Sequence, residues 1–314
     1  MSTATLDSVP VAARPRLRWW REVFYVIAIY VVYSSVRNQF GSAGGPSGQS
    51  NRIAYEHGID IIQIQRFLHL DFEPALQRWY LDLPANGWIG FWNVFYGTAH
   101  FIVTGVALIW LYRAAPKRYA LWRNTLACTT VAALVGFASF SLMPPRLLNE
   151  TFDRFGPPPA ERAEHRDDEE DFGEMEDTLA NYPTFWSFDS GTLKNISNQY
   201  AAMPSMHIGW SVWAMLVIYP LLRRRWARAL VVLHPIATLF CILVTANHYW
   251  IDAIGGLVTL GAGFLAGRAL TRAWSRGAGG ASDAAPPSRG PDGSTVVAGL
   301  GEQRLLIAGP AAET

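Results

Sequence analysis

The stretch YWIDAIGGLVTLGAGFLAGRAL, residues 249–270, decides the fold class of this chain. Apart from Asp252 near its beginning and Arg268 near its end, it consists mainly of apolar and small residues. A helix needs about 20 such residues to cross the ~30 Å hydrocarbon core of a bilayer. We therefore predict a membrane-spanning helix here, with a carboxylate close to one of its ends.

Five further apolar runs have nearly the same length, at residues 20–36, 91–112, 124–143, 207–222 and 229–245. The whole chain is 50% hydrophobic and only 16% charged. This balance is typical of membrane proteins rather than of soluble globular ones. The predicted fold class is therefore all-α, a polytopic membrane protein with six transmembrane helices.

Basic residues cluster at the start of the first run and before it, between the second and third, between the fourth and fifth, and at the end of the sixth run and after it. They are Arg14, Arg16, Arg18, Arg21, Arg113, Lys117, Arg118, Arg123, Arg223, Arg224, Arg225, Arg228, Arg268, Arg272 and Arg276. Because cytoplasmic loops are enriched in basic residues, we predict a multi-pass plasma-membrane protein with both termini in the cytoplasm. The expected organisation is a cytoplasmic N-terminal segment (1–18), a membrane domain (19–276) and a disordered cytoplasmic tail (277–314).

The two long loops, 37–90 and 144–206, should then face outward. Residues 53–83 carry apolar residues at helical spacing, with Pro74 and Pro84 as breakers, which predicts one or two amphipathic helices at the outer interface. The second loop contains the run RDDEEDFGEMED at 166–177. We interpret residues from about 155 to 178 as a mobile, solvated acidic loop; a metal-binding or gating role is the alternative.

Three polar stretches adjoin the apolar runs: MPPRLL at 143–148, MPSMHIGWS at 203–211 and NHYWIDAIGG at 247–256. Ionisable residues at membrane depth are costly and are therefore functional candidates. The predicted topology brings all three stretches to the same, outer face of the membrane. Their side chains are expected to form one site.

Phosphoryl transfer through a histidine suits these residue types. His248 is the candidate nucleophile, and Asp252, four residues on and on the same helical face, would fix its tautomer. His207 would serve as general acid and base. Arg146 would clamp phosphate oxygens with its planar guanidinium, and Ser205 would bind an anion where a helix begins after a proline.

Each of these residues also has a purely structural interpretation. His248 and Asp252 could only bridge helices, His207 could bond backbone at a helix start, and Arg146 could contact lipid headgroups at the interface. Tyr96 and His100 either line a substrate cavity or hydrogen-bond between helices.

A zinc site built from His207, His248 and Asp252 is chemically possible, but the sequence has no H-E-x-x-H motif and no cysteine beside them. We predict neither a metal nor another cofactor. A lipid phosphate and the bilayer are the expected partners, with no nucleic acid; the oligomeric state stays open.

Two of these motifs resemble those of a known enzyme family. PSMH (204–207) is similar to the PSGH motif, and HYWID (248–252) to the H-x-x-x-D motif, of the type 2 phosphatidic acid phosphatase superfamily. The Tyr after the histidine resembles the inositol phosphorylceramide synthase branch, and NVFYGTAHF (93–101) with PPRL (144–147) resembles bacterial inositolphosphotransferase-domain members. The resemblance covers residues from about 50 to 270. It implies a six-helix catalytic core and metal-independent catalysis through a phosphohistidine on His248.

The phosphatase branch of that family has K-x6-R-P and S-R motifs that this chain lacks. Ser139 stands where the lysine would be, Leu147 follows the arginine, and Ile242 and Leu243 occupy the S-R position. We therefore expect a membrane phosphotransferase acting on a lipid-linked phosphoester, with an inositol or glycolipid acceptor. The alternatives are a lipid or polyprenyl phosphate phosphatase and a catalytically silent lipid-binding protein.

Overall fold

The computed structural model describes residues 18–39, 49–148, 175–182, 184, 200–282, 288–289 and 295–296. Nine helices in this part of the chain are α1 (Trp19–Gln39), α2 (Gln49–Phe67), α3 (Glu73–Leu81), α4 (Ile89–Ala114), α5 (Pro116–Ser139), α6 (Thr178–Asn181), α7 (Met206–Ile218), α8 (Arg225–Val244) and α9 (Trp250–Ser282). Short 3-10 turns lie at Pro84–Trp88, Pro145–Leu147 and Tyr219–Leu221. The all-α prediction is confirmed for the bundle.

The chain divides into a larger unit, Met1–Thr271, and a smaller one, Arg272–Thr314. In the smaller unit two-residue strands, β1 (Ser288–Arg289) and β2 (Thr295–Val296), pair antiparallel. Disorder was expected from residue 277, whereas α9 continues to Ser282. The rest of the predicted tail, and residues 1–17, lie outside the described residues.

Among the described residues, three segments are long and apolar enough to cross a membrane: Pro84–Ala114, Arg225–Val244 and Trp250–Arg276. Met206–Leu221 is apolar but shorter. Helices α1 and α5 occupy predicted spans, but charged residues in their first halves shorten the apolar stretch of each. Six crossings therefore remain a prediction for the chain as a whole, while three have the required length and composition.

The boundary between the second and third predicted spans was wrong. Residues 113–123 were expected to form a basic loop, but α4 and α5 are separated by Ala115 alone. Pro116 is suited to the first turn of a helix because its missing N–H needs no partner there. Lys117, Arg118 and Arg123 therefore belong to the first turns of α5.

One or two amphipathic helices were predicted from residues 53–83, and the structure has two, α2 and α3, with Pro74 in the first turn of α3. Helix α2 buries Ala54, Tyr55 and Ile59 against a cluster that includes Met143 and Leu147. The opposite face of α2 is more exposed. The α2–α3 hairpin thus covers the 143–148 stretch that contains Arg146.

Helix α7 lies at the centre of the bundle. Its buried Trp213 and Val217 pack with Ala107 of α4 and Leu260 of α9. Helices α7 and α9 approach so closely that a Cβ at Gly256 would overlap the carbonyl oxygen of Ser205. This contact between small residues, of the kind common between membrane helices, brings the two candidate histidine segments together.

Candidate active site

The His248–Asp252 pair stands at the beginning of α9. His248 Nδ1 lies 3.2 Å from Asp252 Oδ2, and the backbone N–H of Tyr249 donates to the same oxygen at 3.0 Å. Both side chains are buried. The pair was expected on one helical face, but α9 begins only at Trp250. His248 therefore lies in the preceding turn, and Asp252 reaches back to it.

The tautomer of His248 follows from this contact. An ionised Asp252 accepts a hydrogen bond, so Nδ1 carries the proton and Nε2 keeps a lone pair. Asp252 Oδ1 is buried and has no hydrogen-bond partner among the described residues. Among the described residues, the carboxylate therefore contacts the His248 ring and the Tyr249 N–H through Oδ2 alone.

His207 meets the other side of His248. Its Nδ1 lies 3.2 Å from His248 Nε2. Because Nε2 accepts in the tautomer assigned above, His207 Nδ1 is the donor. The structure therefore brings Asp252, His248 and His207 into one hydrogen-bonded row, in which the Nε2 lone pair of His248 accepts from His207.

Ser205 links the starts of α7 and α9. Its backbone N–H donates to the Asp252 carbonyl at 3.0 Å. Its side chain is fully buried, and its hydroxyl neither caps α7 nor has a hydrogen-bond partner among the described residues. A buried hydroxyl without a partner costs free energy, which is consistent with a ligand at this position.

Tyr96 and His100 of α4 enclose the ring of His207. The Tyr96 ring stacks on it at a centroid distance of 4.3 Å and an angle of 21°, and the His100 ring meets it edge-on at 4.3 Å. His100 Nδ1 also lies 3.1 Å from the Tyr96 carbonyl oxygen. Both residues therefore border the candidate site rather than lying elsewhere along the span.

Arg146 is attached to the same region through its backbone. Its N–H donates to the carbonyl of Ala246 at 2.9 Å, two residues before His248. The guanidinium, however, forms an ion pair with Asp177, with Nη1 to Oδ2 at 2.7 Å and both side chains largely buried. The cation expected to bind phosphate thus already holds a carboxylate.

Asp177 was not identified as a site residue, and its segment was expected to be solvated and mobile. Residues 149–174 of that loop lie outside the described residues, but Met175, Asp177 and Thr178 are buried. Asp177 Oδ1 accepts from the N–H groups of Leu179 and Ala180 and so caps α6. The signal in the sequence was an aspartate before a short helix, hidden among other acids.

Two polar side chains anchor this segment to the bundle. Gln77 of α3 accepts from the N–H of Glu176 and donates to its carbonyl, and also donates to the carbonyl of Val244. Asn93 of α4 donates to the carbonyl of Thr178 at 2.8 Å. The carboxylate facing Arg146 is therefore held in place from two helices.

Glu73, at the start of α3, is a second residue that the sequence analysis missed. It is buried, and its Oε1 accepts from the N–H of Trp250, the first residue of α9, at 3.1 Å and from Gln65 Nε2 at 2.5 Å. Burial raises the pKa of Glu73, partly offset by these hydrogen bonds. The Trp250 indole also donates to the Leu70 carbonyl at 2.8 Å. The α2–α3 hairpin thus fixes the beginning of α9.

A polar cavity of about 270 Å³ lies beside this hairpin. Its buried wall includes Gln65 and Glu73, and its more exposed residues are Arg66, Asp71 and Arg78. Hydrogen-bond donors and acceptors therefore line this cavity, which adjoins Glu73, the residue that accepts from the first N–H of α9.

Comparison with protein families gives one match, the PAP2 superfamily, over residues 59–266. No curated protein and no solved structure matches the chain. The matched range contains Arg146, His207, His248 and Asp252. Together with apolar helices long enough to cross a membrane, the match identifies the chain as a membrane protein of the PAP2 superfamily, a membership that indicates a phosphatase-type enzyme.

Proposed function

We propose that this protein is a membrane phosphotransferase that moves the phosphate group of a lipid phosphodiester to an alcohol through a phosphohistidine on His248. The carrying observation is the Arg146–Asp177 ion pair at 2.7 Å. A phosphate monoester carries a charge of about −1.5 to −2 at neutral pH, whereas a diester carries one negative charge. An arginine already balanced by a carboxylate suits the diester better.

The positions where the phosphatase branch has further cations support this preference. Ile242 and Leu243 are buried in an apolar cluster with Ile208 and Ala253. A cation there would lose its hydration without gaining a partner. The part of the chain that the structure describes therefore favours a substrate with less charge to neutralise.

The proposed reaction has two displacements. The phosphate group enters between His207 and His248 and replaces their direct hydrogen bond. His248 Nε2 then attacks phosphorus, the P–N bond forms, and the bond from phosphorus to the lipid oxygen breaks while His207 gives that oxygen a proton. The acceptor hydroxyl then attacks phosphorus, its proton passes to His207, and the P–N bond breaks. Asp252 balances the imidazolium in between, and the buried Ser205 hydroxyl donates to a phosphate oxygen.

The polar cavity supports an alcohol, such as an inositol or glycolipid headgroup, as the acceptor. Gln65 and Glu73 offer groups that pair with hydroxyls, and the more exposed arginines add donors. Water would use the same three catalytic groups but would need no such cavity. We therefore rank transfer above hydrolysis.

Turnover of a lipid phosphodiester with a labelled phosphate tests the proposal. Protein in nanodiscs is incubated with and without inositol-type acceptors, and His248→Ala is the control. Label on the acceptor, absent with the control, is the expected result. Label released only as the hydrolysed phosphate compound would establish a phosphatase-like hydrolase instead, and the absence of any turnover would favour a silent lipid-binding protein.

We further propose that the site faces the outside of the plasma membrane and that both termini are cytoplasmic. The basic residues at 223–228, which lie just before α8 and in its first turn, support this orientation. A reporter inserted there should be protected from reagents applied outside the cell. Labelling of that reporter from outside would reverse the topology.

A further inference from the structure

An apolar cavity of about 270 Å³ lies between α1, α4, α5 and α7. Its lining includes Val26 of α1, Phe101, Gly105 and Leu108 of α4, Ala127 of α5 and Trp210 of α7. Cavities lined in this way favour apolar ligands, since they offer few hydrogen bonds and release water at little cost. The chemical class that fits is a hydrocarbon chain.

One end of the cavity adjoins the candidate active site. The rings of Phe101 and Trp210 contact the ring of His100, with centroid distances of 3.9 Å and 5.9 Å. His100 in turn meets His207 at 4.3 Å. A group bound at the catalytic histidines therefore reaches this space past a single side chain.

Two charged side chains close the other end of the cavity. Arg123 lines the cavity, and its guanidinium pairs with Glu22 of α1 at 2.6 Å. The residues between the ends, from Phe101 to Leu108 on α4, span about 10 Å at the helical rise per residue. A chain longer than this meets a buried ion pair, whose disruption is costly.

We infer that this cavity receives one acyl chain of the lipid substrate and limits the chain length that binds well. The inference rests on the proposed function, because the chain must belong to a lipid whose phosphate lies at His248. The position of the cavity along α4 agrees with a phosphate at His248. Tyr96 and His100 contact His207, and the cavity lining on α4 begins at the following residue, Phe101. An acyl chain would then descend from the headgroup into the bundle.

Gly105 offers a direct way to fill this space. A Cβ at Gly105 meets no atom within 4 Å, so a larger side chain enters the cavity without displacing backbone. Gly261 of α9 also meets no atom within 4 Å, but it does not line the cavity. Gly105→Leu and Gly261→Leu are therefore a matched pair, and Ala127→Leu fills the cavity from α5 if Gly105→Leu fails to fold.

The measurement is kcat/KM for substrates that share one phosphodiester headgroup and differ in chain length. With short-chain substrates that reach the site from water, burial of one methylene raises binding by about fourfold. For the wild type and Gly261→Leu we expect kcat/KM to rise by up to this factor per methylene and then level off. Gly105→Leu should reduce the increase in kcat/KM per methylene, so that kcat/KM falls most for the substrates with the longest chains. An equal loss at every chain length, or a profile like the control, would overturn the inference.

A second readout does not depend on turnover. A lipid phosphodiester with a photoreactive group in mid-chain is cross-linked to the protein, and the labelled residues are mapped by mass spectrometry. Labels on the 101–108 and 123–130 segments that disappear in Gly105→Leu support the cavity even if the protein turns over no substrate, in which case the proposed function alone fails. Labels elsewhere only would refute the cavity.

Discussion

Replacing Gly256 by alanine tests whether the contact between α7 and α9 sets the catalytic geometry. A Cβ at this position would approach the carbonyl oxygen of Ser205 more closely than the 3.0 Å that real Cβ contacts keep, and would lie 3.2 Å from the carbonyl carbon. The obstacle is backbone, so no side chain can rotate away. The two helices must separate instead, by an amount on the order of 1 Å, a misplacement that typically costs 10²-fold in rate.

The shift acts directly on the row of catalytic groups. Ser205 stands two residues before His207, and Gly256 stands one helical turn after Asp252. Separation of their backbones lengthens the 3.2 Å contact between His207 Nδ1 and His248 Nε2. We expect kcat for a lipid phosphodiester to fall by about 100-fold in Gly256→Ala.

Gly261→Ala is the matched control on the same helix. Its added methyl group meets no atom within 4 Å, and alanine in a helix interior is favoured over glycine by up to about 1 kcal/mol. Initial rates in nanodiscs, with the thermal unfolding midpoint as a check on folding, compare the two variants. Gly256→Ala with more than half of wild-type activity, or Gly261→Ala equally impaired, would refute the reasoning.

Three further predictions concern the buried polar groups. Asp252→Asn can present an amide N–H to His248 and favour the wrong tautomer, so kcat should fall by about 10⁴-fold; a loss below tenfold would contradict the assigned role. Asp177→Asn keeps an oxygen to cap α6 but leaves the Arg146 charge unbalanced, so it should destabilise the protein, and Arg146→Gln in the same chain should recover roughly 1–3 kcal/mol in a double-mutant cycle of unfolding free energies. Additive effects would rule out coupling between the two side chains. Burial raises the pKa of Glu73 above 4.5, so its contribution to stability is present below pH 4.5 and is lost as the pH rises through the folded-state pKa. Glu73→Gln keeps the acceptor for Trp250 N–H and should remove that decline in the unfolding midpoint, whereas an unchanged slope would show that other groups cause it.

The helices were predictable because their signal is local. Apolar runs located both ends of α4 and α8 and the start of α9 to within a few residues, since a span must satisfy its own backbone hydrogen bonds and face lipid or apolar neighbours. The start of α5 was missed because Lys117, Arg118 and Arg123 resemble a loop in composition. Only the preceding Pro116 indicated a helix start.

The close approach of Asp252, His248 and His207 was predictable for a related reason. His248 and Asp252 are four residues apart, and each of the short motifs around Arg146, His207 and His248 can be recognised within its own stretch of sequence. Asp177 and Glu73, the acidic residues that contact this region, cannot be recognised from their own stretches of sequence. Asp177 is 31 residues from Arg146, and Glu73 is 177 residues from Trp250. Their partners are fixed by tertiary packing, which no spacing pattern in a single sequence records.

The Arg146–Asp177 ion pair also bears on product release in the proposed reaction. An arginine that already holds a carboxylate exchanges one ion pair for another when a phosphate arrives, so the net gain is small. The carboxylate remains nearby and competes for the guanidinium once the phosphoryl group has moved on. In the proposed reaction, such a site would resist product inhibition and would bind free inorganic phosphate only weakly.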